Sequence, residues 1–157
     1  EIKECDWSSD VCSSDLLSRV TTGGAVTTYP LEAGTAPSRL AFDGTDMWVT
    51  NYGADSVSKV NVSTGAVIAT YPLPTGSKPR SIALDQPGYQ TSSVPIDPKM
   101  YMWTSNGNHT ASKIDIATGA VLASYPIGKS PQGLAFDGTN MWIVQSSAGS
   151  VAKIRAR

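Results

Sequence analysis

Apolar and polar residues alternate along most of this chain in short runs, and the runs are separated by Gly, Asp, Asn and Pro. Arg39 to Phe42 and Met47 to Thr50 are rich in apolar, aromatic and β-branched residues, with Asp43-Gly44 between them. Glycine takes positive φ without steric cost, so this dipeptide predicts a tight hairpin joining two strands. Val57 to Val62 alternates apolar with polar, Thr64-Gly65 marks a further turn, and Ala66 to Tyr71 reads as a fourth strand. No long stretch spaces its apolar positions by three and four, so no helix is predicted.

This four-strand phrase recurs. Tyr29 and Tyr71 end the segments GAVTTYPL and GAVIATYPL and lie 42 residues apart, as do Pro37 and Pro79. Tyr71 to Tyr125 is 54 residues, the excess falling in an insertion over 86–99 that carries three prolines, Pro87, Pro95 and Pro98. A period of roughly 40 to 50 residues built from short strands is the signature of a propeller blade. The units run over 17–31 (two strands), 37–73 and 79–127 (four each) and 131–156 (three). The expected fold is therefore all-β, about three four-stranded antiparallel blades in an incomplete ring. A sheet that is apolar on both faces cannot bury them alone, which is the physical reason for repetition. Trp48, Met102 with Trp103, and Trp142 fall on the second strand of successive units and are expected to pack between blades.

Composition changes the picture mainly at the N-terminus. Residues Asp6 to Leu16, DWSSDVCSSDL, stand outside the repeat and resemble the conceptual translation of a sequencing adapter, so 1–16 is set aside as a non-native leader. Both cysteines, Cys5 and Cys12, lie in it, leaving no thiol or disulfide argument for the rest. The remainder carries 11 basic and 8 acidic residues, too mild an excess to argue for nucleic acid. Ser18-Arg19-Val20 aligns with Ser58-Lys59-Val60, so the repeat is entered midway through a blade, and the chain is expected to be a piece of a longer propeller whose missing blades are partners for its ends. No membrane span is visible, and the cysteine-free, Ser/Thr/Gly-rich remainder suggests a bacterial envelope or extracellular location.

WVTNYGADSVSKVNVSTGAVIATYPL, Trp48 to Leu73, closely resembles the YVTN-type β-propeller repeat, and MWTSNGNHTASKIDIATGAVLASYPIG and MWIVQSSAGSVAKI follow the same order. The resemblance implies a propeller that serves as a scaffold, a binding module or, less often, an enzyme. A more distant resemblance is to the virginiamycin B lyase type, whose chemistry uses a histidine with metal-binding acidic residues. No matching set is found in this chain.

The loops joining blades, and those between second and third strands, open on one face, where Arg39, Asn51, Tyr52, Lys78, Arg80, Asn106, His109, Gln132 and Gln145 are the candidate ligand-face residues. Arginine and lysine there suit a carboxylate or phosphate. His109 is the single histidine and has no acidic neighbour in sequence, as a general base or metal site would want. Asp43-Gly44-Thr45 and Asp137-Gly138-Thr139 offer one carboxylate each, which suits a hairpin better than calcium. Asp115 to Gly119 partly resembles the quinoprotein docking motif, but Thr28, Ala69 and Ala123 stand where that motif needs tryptophan. Arg19, Lys59, Lys113 and Lys153 recur on the third strand and are expected to be exposed stems that discourage edge pairing. The expected function is a non-catalytic scaffold or binding module for an unknown small molecule, glycan or protein, with no cofactor, metal or catalytic residue assigned. The alternative is a fragment of a propeller lyase or lactone hydrolase with its chemistry in absent blades.

Overall fold

The computed structural model describes residues 15–86 and 99–156. Most of the leader and most of the 86–99 insertion lie outside the described residues. Thirteen strands follow in order: β1 (Leu16–Val20), β2 (Val26–Pro30), β3 (Pro37–Phe42), β4 (Asp46–Asn51), β5 (Ser56–Asn61), β6 (Val67–Pro72), β7 (Pro79–Leu84), β8 (Tyr101–Asn106), β9 (Thr110–Asp115), β10 (Val121–Pro126), β11 (Pro131–Phe136), β12 (Asn140–Gln145) and β13 (Ser150–Arg155). They form four antiparallel sheets of neighbouring strands, β1-β2, β3 to β6, β7 to β10 and β11 to β13. Strand bounds agree with the alternation pattern to within two residues. No helix occurs among the described residues, and so none long and apolar enough to cross a membrane.

The sheets stack face to face in an open arc with β3, β7 and β11 side by side at its inner edge. The second and third sheets each turn a tryptophan face toward the next sheet's Met/Ile face. Trp48 and Val57 pack on Ile82, Met102 and Ile114, and Trp103 and Ala111 pack on Met141 and Ile143. Met102 thus lies on the opposite face of its sheet from Trp103, because neighbouring residues of a strand point to opposite sides. Trp48 and Trp103 are fully buried, as expected. Trp142 is 40% exposed on the outer face of the last sheet, because no further sheet covers it.

A second feature repeats with the tryptophan. The Oδ1 atom of Asp43 accepts the N–H groups of Thr45 (2.8 Å) and Asp46 (2.7 Å), closing the hairpin turn, while Oδ2 accepts the Trp48 indole N–H at 2.8 Å. Asp137 holds Trp142 in the same way, and Asp85 holds Trp103 across the insertion. Lys59 lies over the Trp48 ring and reaches Asp43 at 3.5 Å and Asp46 at 3.3 Å. Lys113 and Lys153 lie over Trp103 and Trp142. The expectation of exposed stems on the third strand holds for Arg19 and Lys153, which lie on edge strands, and is corrected for Lys59 and Lys113, whose strands sit inside their sheets, so that they lie over a tryptophan and are only partly exposed. Tyr71 and Tyr125 from the fourth strand stack on Trp48 and Trp103 with ring centres 5.3 and 5.5 Å apart.

Linkers between sheets are held from both sides. Asp55 accepts the N–H of Gly76 (2.7 Å) and Lys78 (2.6 Å) in the linker after β6, and Asp15 accepts those of Gly34, Thr35 and Ala36 in the linker after β2. Asp15 and Leu16, set aside with the leader on sequence grounds, therefore take the same positions in their hairpin as Asp55 and Ser56 in theirs. His109 occupies the equivalent place in the next sheet, where its carbonyl accepts the Ile127 N–H just as that of Asp55 accepts the Leu73 N–H. Asp55 and His109 share the left-handed backbone that this loop requires, at φ of 48° and 69°.

Candidate functional site

In a repeat, residues the fold needs recur from unit to unit, and residues that do not recur were chosen for something else. The loop end of the junction between the second and third sheets holds the largest break in the pattern. Tyr52 follows β4, and its N–H bonds the Ala36 carbonyl. The same position carries Gly107 after β8 and Ser146 after β12, whose N–H groups bond the carbonyls of Lys78 and Ser130. Lys78 in the linker has Ala36 and Ser130 as its counterparts, and Arg80 near the start of β7 has Ser38 and Gln132. One aromatic and two cations thus meet at one junction, where the other junctions carry small or neutral side chains.

The geometry brings the three together. The Lys78 Nζ lies 5.8 Å, and the Arg80 guanidinium carbon 5.9 Å, from the centre of the Tyr52 ring. Gly107 crowds the pair from the third sheet: a Cβ there would stand 3.2 Å from the Lys78 Cβ and 3.5 Å from Arg80 Nε. Ser38 donates to the Arg80 carbonyl at 3.1 Å and fixes that backbone. The Arg80 Nε is buried without a hydrogen-bond partner, a donor held in reserve. The Asp55 carboxylate accepts the Lys78 backbone N–H at 2.6 Å.

The remaining candidates fall elsewhere. Asn51 and Asn106 are fully buried, so they do not line a ligand face: their amides donate to Ser56 and Ser58, and to Thr110 and Ser112, tying second strand to third. Gln145 is also buried and accepts from Ser150 at 3.1 Å in the corresponding place. Position within the strand decided this, because the residue that ends the second strand points into the sheet stack while the next residue, Tyr52, points out. Arg39 is exposed on β3 and donates to the Ser38 carbonyl at 2.8 Å. Gln132 is half-buried with its carbonyl taken by Ser105, and His109 is exposed at its left-handed loop position. Sequence reasoning missed the carboxylates of Asp55, which holds the linker at the site, and of Asp15, which holds the linker after β2, and it missed Asp43 and Asp85 as holders of the tryptophans at the opposite end of the strands. The five-residue step from Asp43 to Trp48, repeated from Asp137 to Trp142, was the available signal. Among the described residues no three His, Cys, Asp or Glu side chains gather as metal ligands. A separate apolar crevice of about 180 Å³ opens between the first two sheets, lined by Leu17, Tyr29, Leu40, Met47 and Val60.

No family model and no curated protein matches this chain. Solved structures do. A streptogramin B lyase structure superposes with a TM-score of 0.65 at 17% identity, over 91% of this chain and 48% of that one. The WD40 β-propeller domain of Doa1 gives 0.61 at 11% identity, over 91% and 47%. The fold is a β-propeller arc. Hydrazine synthase of Kuenenia stuttgartiensis adds a third likeness, with a TM-score of 0.62 at 19% identity over 78% of this chain and 33% of that one. At such identities the likeness is one of fold alone. The chain spans half or less of the length of each of these proteins. In a propeller the innermost strands line the central axis, so β3, β7 and β11 place Arg80 and its neighbours at the loop end of that axis.

Proposed function

We propose that this chain is the non-catalytic binding part of a YVTN-type propeller and that it takes a small anionic group, a carboxylate or phosphate, between Lys78 and Arg80 with Tyr52 alongside. The observation that carries the reading is the departure from repeat symmetry: cation, cation and aromatic converge at one junction and at no other described one. Arginine holds such anions through paired N–H donors, lysine adds a point charge, and the phenol ring offers a flat apolar contact for the carrier of the anion. The YVTN-type assignment is supported by the motif from Trp48 to Leu73, and a bacterial envelope or exterior setting by the Ser/Thr/Gly-rich composition.

The test is a nitrogen-15 correlation titration of the whole chain with inorganic phosphate, citrate and polygalacturonate. Amide shifts confined to Tyr52, Lys78, Arg80 and Gly107, and weakened at least tenfold by Arg80→Gln, support the site. Shifts centred on Lys59 and Lys113, or none with any of the three probes, would remove it.

A further inference from the structure

Two of the three linkers between sheets close on a carboxylate that the fold itself supplies. The residue before the third strand of a unit is Asp15 in the first sheet and Asp55 in the second. Asp15 Oδ1 accepts the Ala36 N–H at 2.9 Å, and Asp55 Oδ1 accepts the Lys78 N–H at 2.6 Å. Ala36 and Lys78 each stand before the proline that opens the next sheet, with φ of 44° and 48°. Neighbouring amides in such left-handed turns make a concavity suited to an anion, and in both linkers an aspartate fills it.

The third linker repeats the frame without the carboxylate. Ser130 precedes Pro131 with φ of 52°, and the Ile127 N–H bonds the His109 carbonyl at 2.8 Å, as Leu31 bonds that of Asp15 and Leu73 that of Asp55. The residue before the third strand is now His109, and the N–H groups of Gly128, Lys129 and Ser130 meet no acceptor among the described residues. Ile127 to Pro131 is four steps of sequence where Leu31 to Pro37 and Leu73 to Pro79 are six, so the turn at Gly34 and Gly76 is missing as well. Thr35 and Ser77, buried in the first two linkers, have the exposed Lys129 as their counterpart. Ser147 donates its hydroxyl to that of Ser130 at 2.7 Å, which leaves the Ser130 proton to give. Everything that holds the second linker comes from the two sheets beside it, and both sheets beside the third linker are present, so the difference lies in these residues themselves.

We infer that the third linker takes a carboxylate from outside the chain, that of a small organic acid, in the place of the missing aspartate. The Ser130 N–H and hydroxyl are its donors, and Lys129 and His109 flank it on the two segments that meet there. Bonds of this kind to an ionised acceptor are the stronger ones, and here they satisfy backbone donors that the fold otherwise leaves over. The slot is separate from the Lys78 and Arg80 site. Between them stands the loop of residues 107–109, whose Gly107 N–H bonds the Lys78 carbonyl while its His109 carbonyl takes Ile127. Either site can therefore fail without the other.

A nitrogen-15 correlation titration of the whole chain with sodium acetate, run beside sodium chloride at matched ionic strength, reads this directly. Acetate is expected to shift the Lys129 and Ser130 amides saturably, while those of Gly34, Thr35 and Ala36, already held by Asp15, stay still. His109→Asp restores the aspartate from within and is expected to weaken the response at least tenfold. His109→Gly, which matches Gly149 in the next sheet, is expected to keep it. The inference is overturned if acetate shifts neither amide, if chloride shifts them equally (an adventitious ion only), or if His109→Asp responds like the wild type. Loss of the response in His109→Gly overturns it too, because the anion would then sit on the imidazole and not on the linker amides.

Discussion

Replacing Asp43 by Asn isolates the energy of the turn-to-tryptophan tie. The two oxygens of Asp43 divide their work: Oδ1 takes the turn N–H groups of Thr45 and Asp46, and Oδ2 takes the Trp48 indole N–H at 2.8 Å and faces Lys59 at 3.5 Å. An amide can keep the first pair only by turning its NH₂ toward the indole and ammonium, donor against donors. Flipped, it loses the turn instead. Either way a charge-assisted bond worth about 1.5 to 3 kcal/mol goes and a buried donor is left unpaired at a further 1 to 3, for a net loss of about 3 kcal/mol. Trp48 is fully buried, so water cannot fill the gap. Thermal unfolding followed by far-UV circular dichroism should show a midpoint lower by roughly 10 °C. Asp137 makes the same set of bonds at the exposed end of the arc, so Asp137→Asn serves as the control, with a much smaller effect expected because solvent replaces what is lost. Equal losses at the two positions would refute the argument that burial, and not the bonding pattern alone, sets the energy.

Two further outcomes are expected. Gly65 and Gly119 have φ of 72° and 73°, and a Cβ on either would run into the ring of Tyr29 or Tyr71 from the preceding sheet, whereas Gly76 at 79° faces open space. Gly65→Ala and Gly119→Ala should therefore destabilise well beyond the roughly 1 to 2 kcal/mol of left-handed strain that Gly76→Ala costs, measured by urea unfolding. For pH, burial pushes the Asp43 carboxyl up, but the N–H of Asp46, the Trp48 indole, the N–H of Thr45 and Lys59 outweigh it and hold it below its ordinary value of 3.8. The Thr118 N–H holds Asp115 low, burial opposing it and the Ala117 N–H adding to the effect. Burial pushes Lys59 down, yet the bond to Asp46 and the charges of Asp43 and Asp46 raise it above 10.5. Depressed carboxyls contribute stability that is present above their unfolded values and lost as pH falls through the folded ones. A raised lysine contributes stability that is present below its unfolded value and lost as pH rises past it. The melting temperature should thus be flat through neutral pH, falling below about pH 4 and again above about pH 10, and Asp43→Asn should flatten the acid limb.

The repeat itself was legible because its signals are local. Alternation at period two, Asp43-Gly44 and Thr64-Gly65 as turns, and the 42-residue step give strands, hairpins and their order without any knowledge of contacts. The site was half legible. Tyr52, Lys78 and Arg80 were picked out by their place in loops, and so were Asn51 and Asn106, which are buried. One residue of register separates Tyr52 from Asn51, and composition does not say which of two neighbours points outward. Asp15 and Asp55 were passed over, and Asp43 was read as a turn residue without its tie to Trp48, because a carboxylate in a turn looks alike whether it faces water, caps a linker or holds an indole.

Alone, the order of residues determined that this chain would form antiparallel strands in a tandem series, since pleat, turn chemistry and the need of a two-faced apolar sheet for neighbours act within and between adjacent segments. Only the tertiary arrangement decided what each copy of the same residue does. Trp48, Trp103 and Trp142 sit in near-identical local frames, each held by its aspartate and topped by its lysine, yet the first two are sealed and the third is open. The reason is that burial belongs to the pair of surfaces in contact, and a sequence describes one surface at a time.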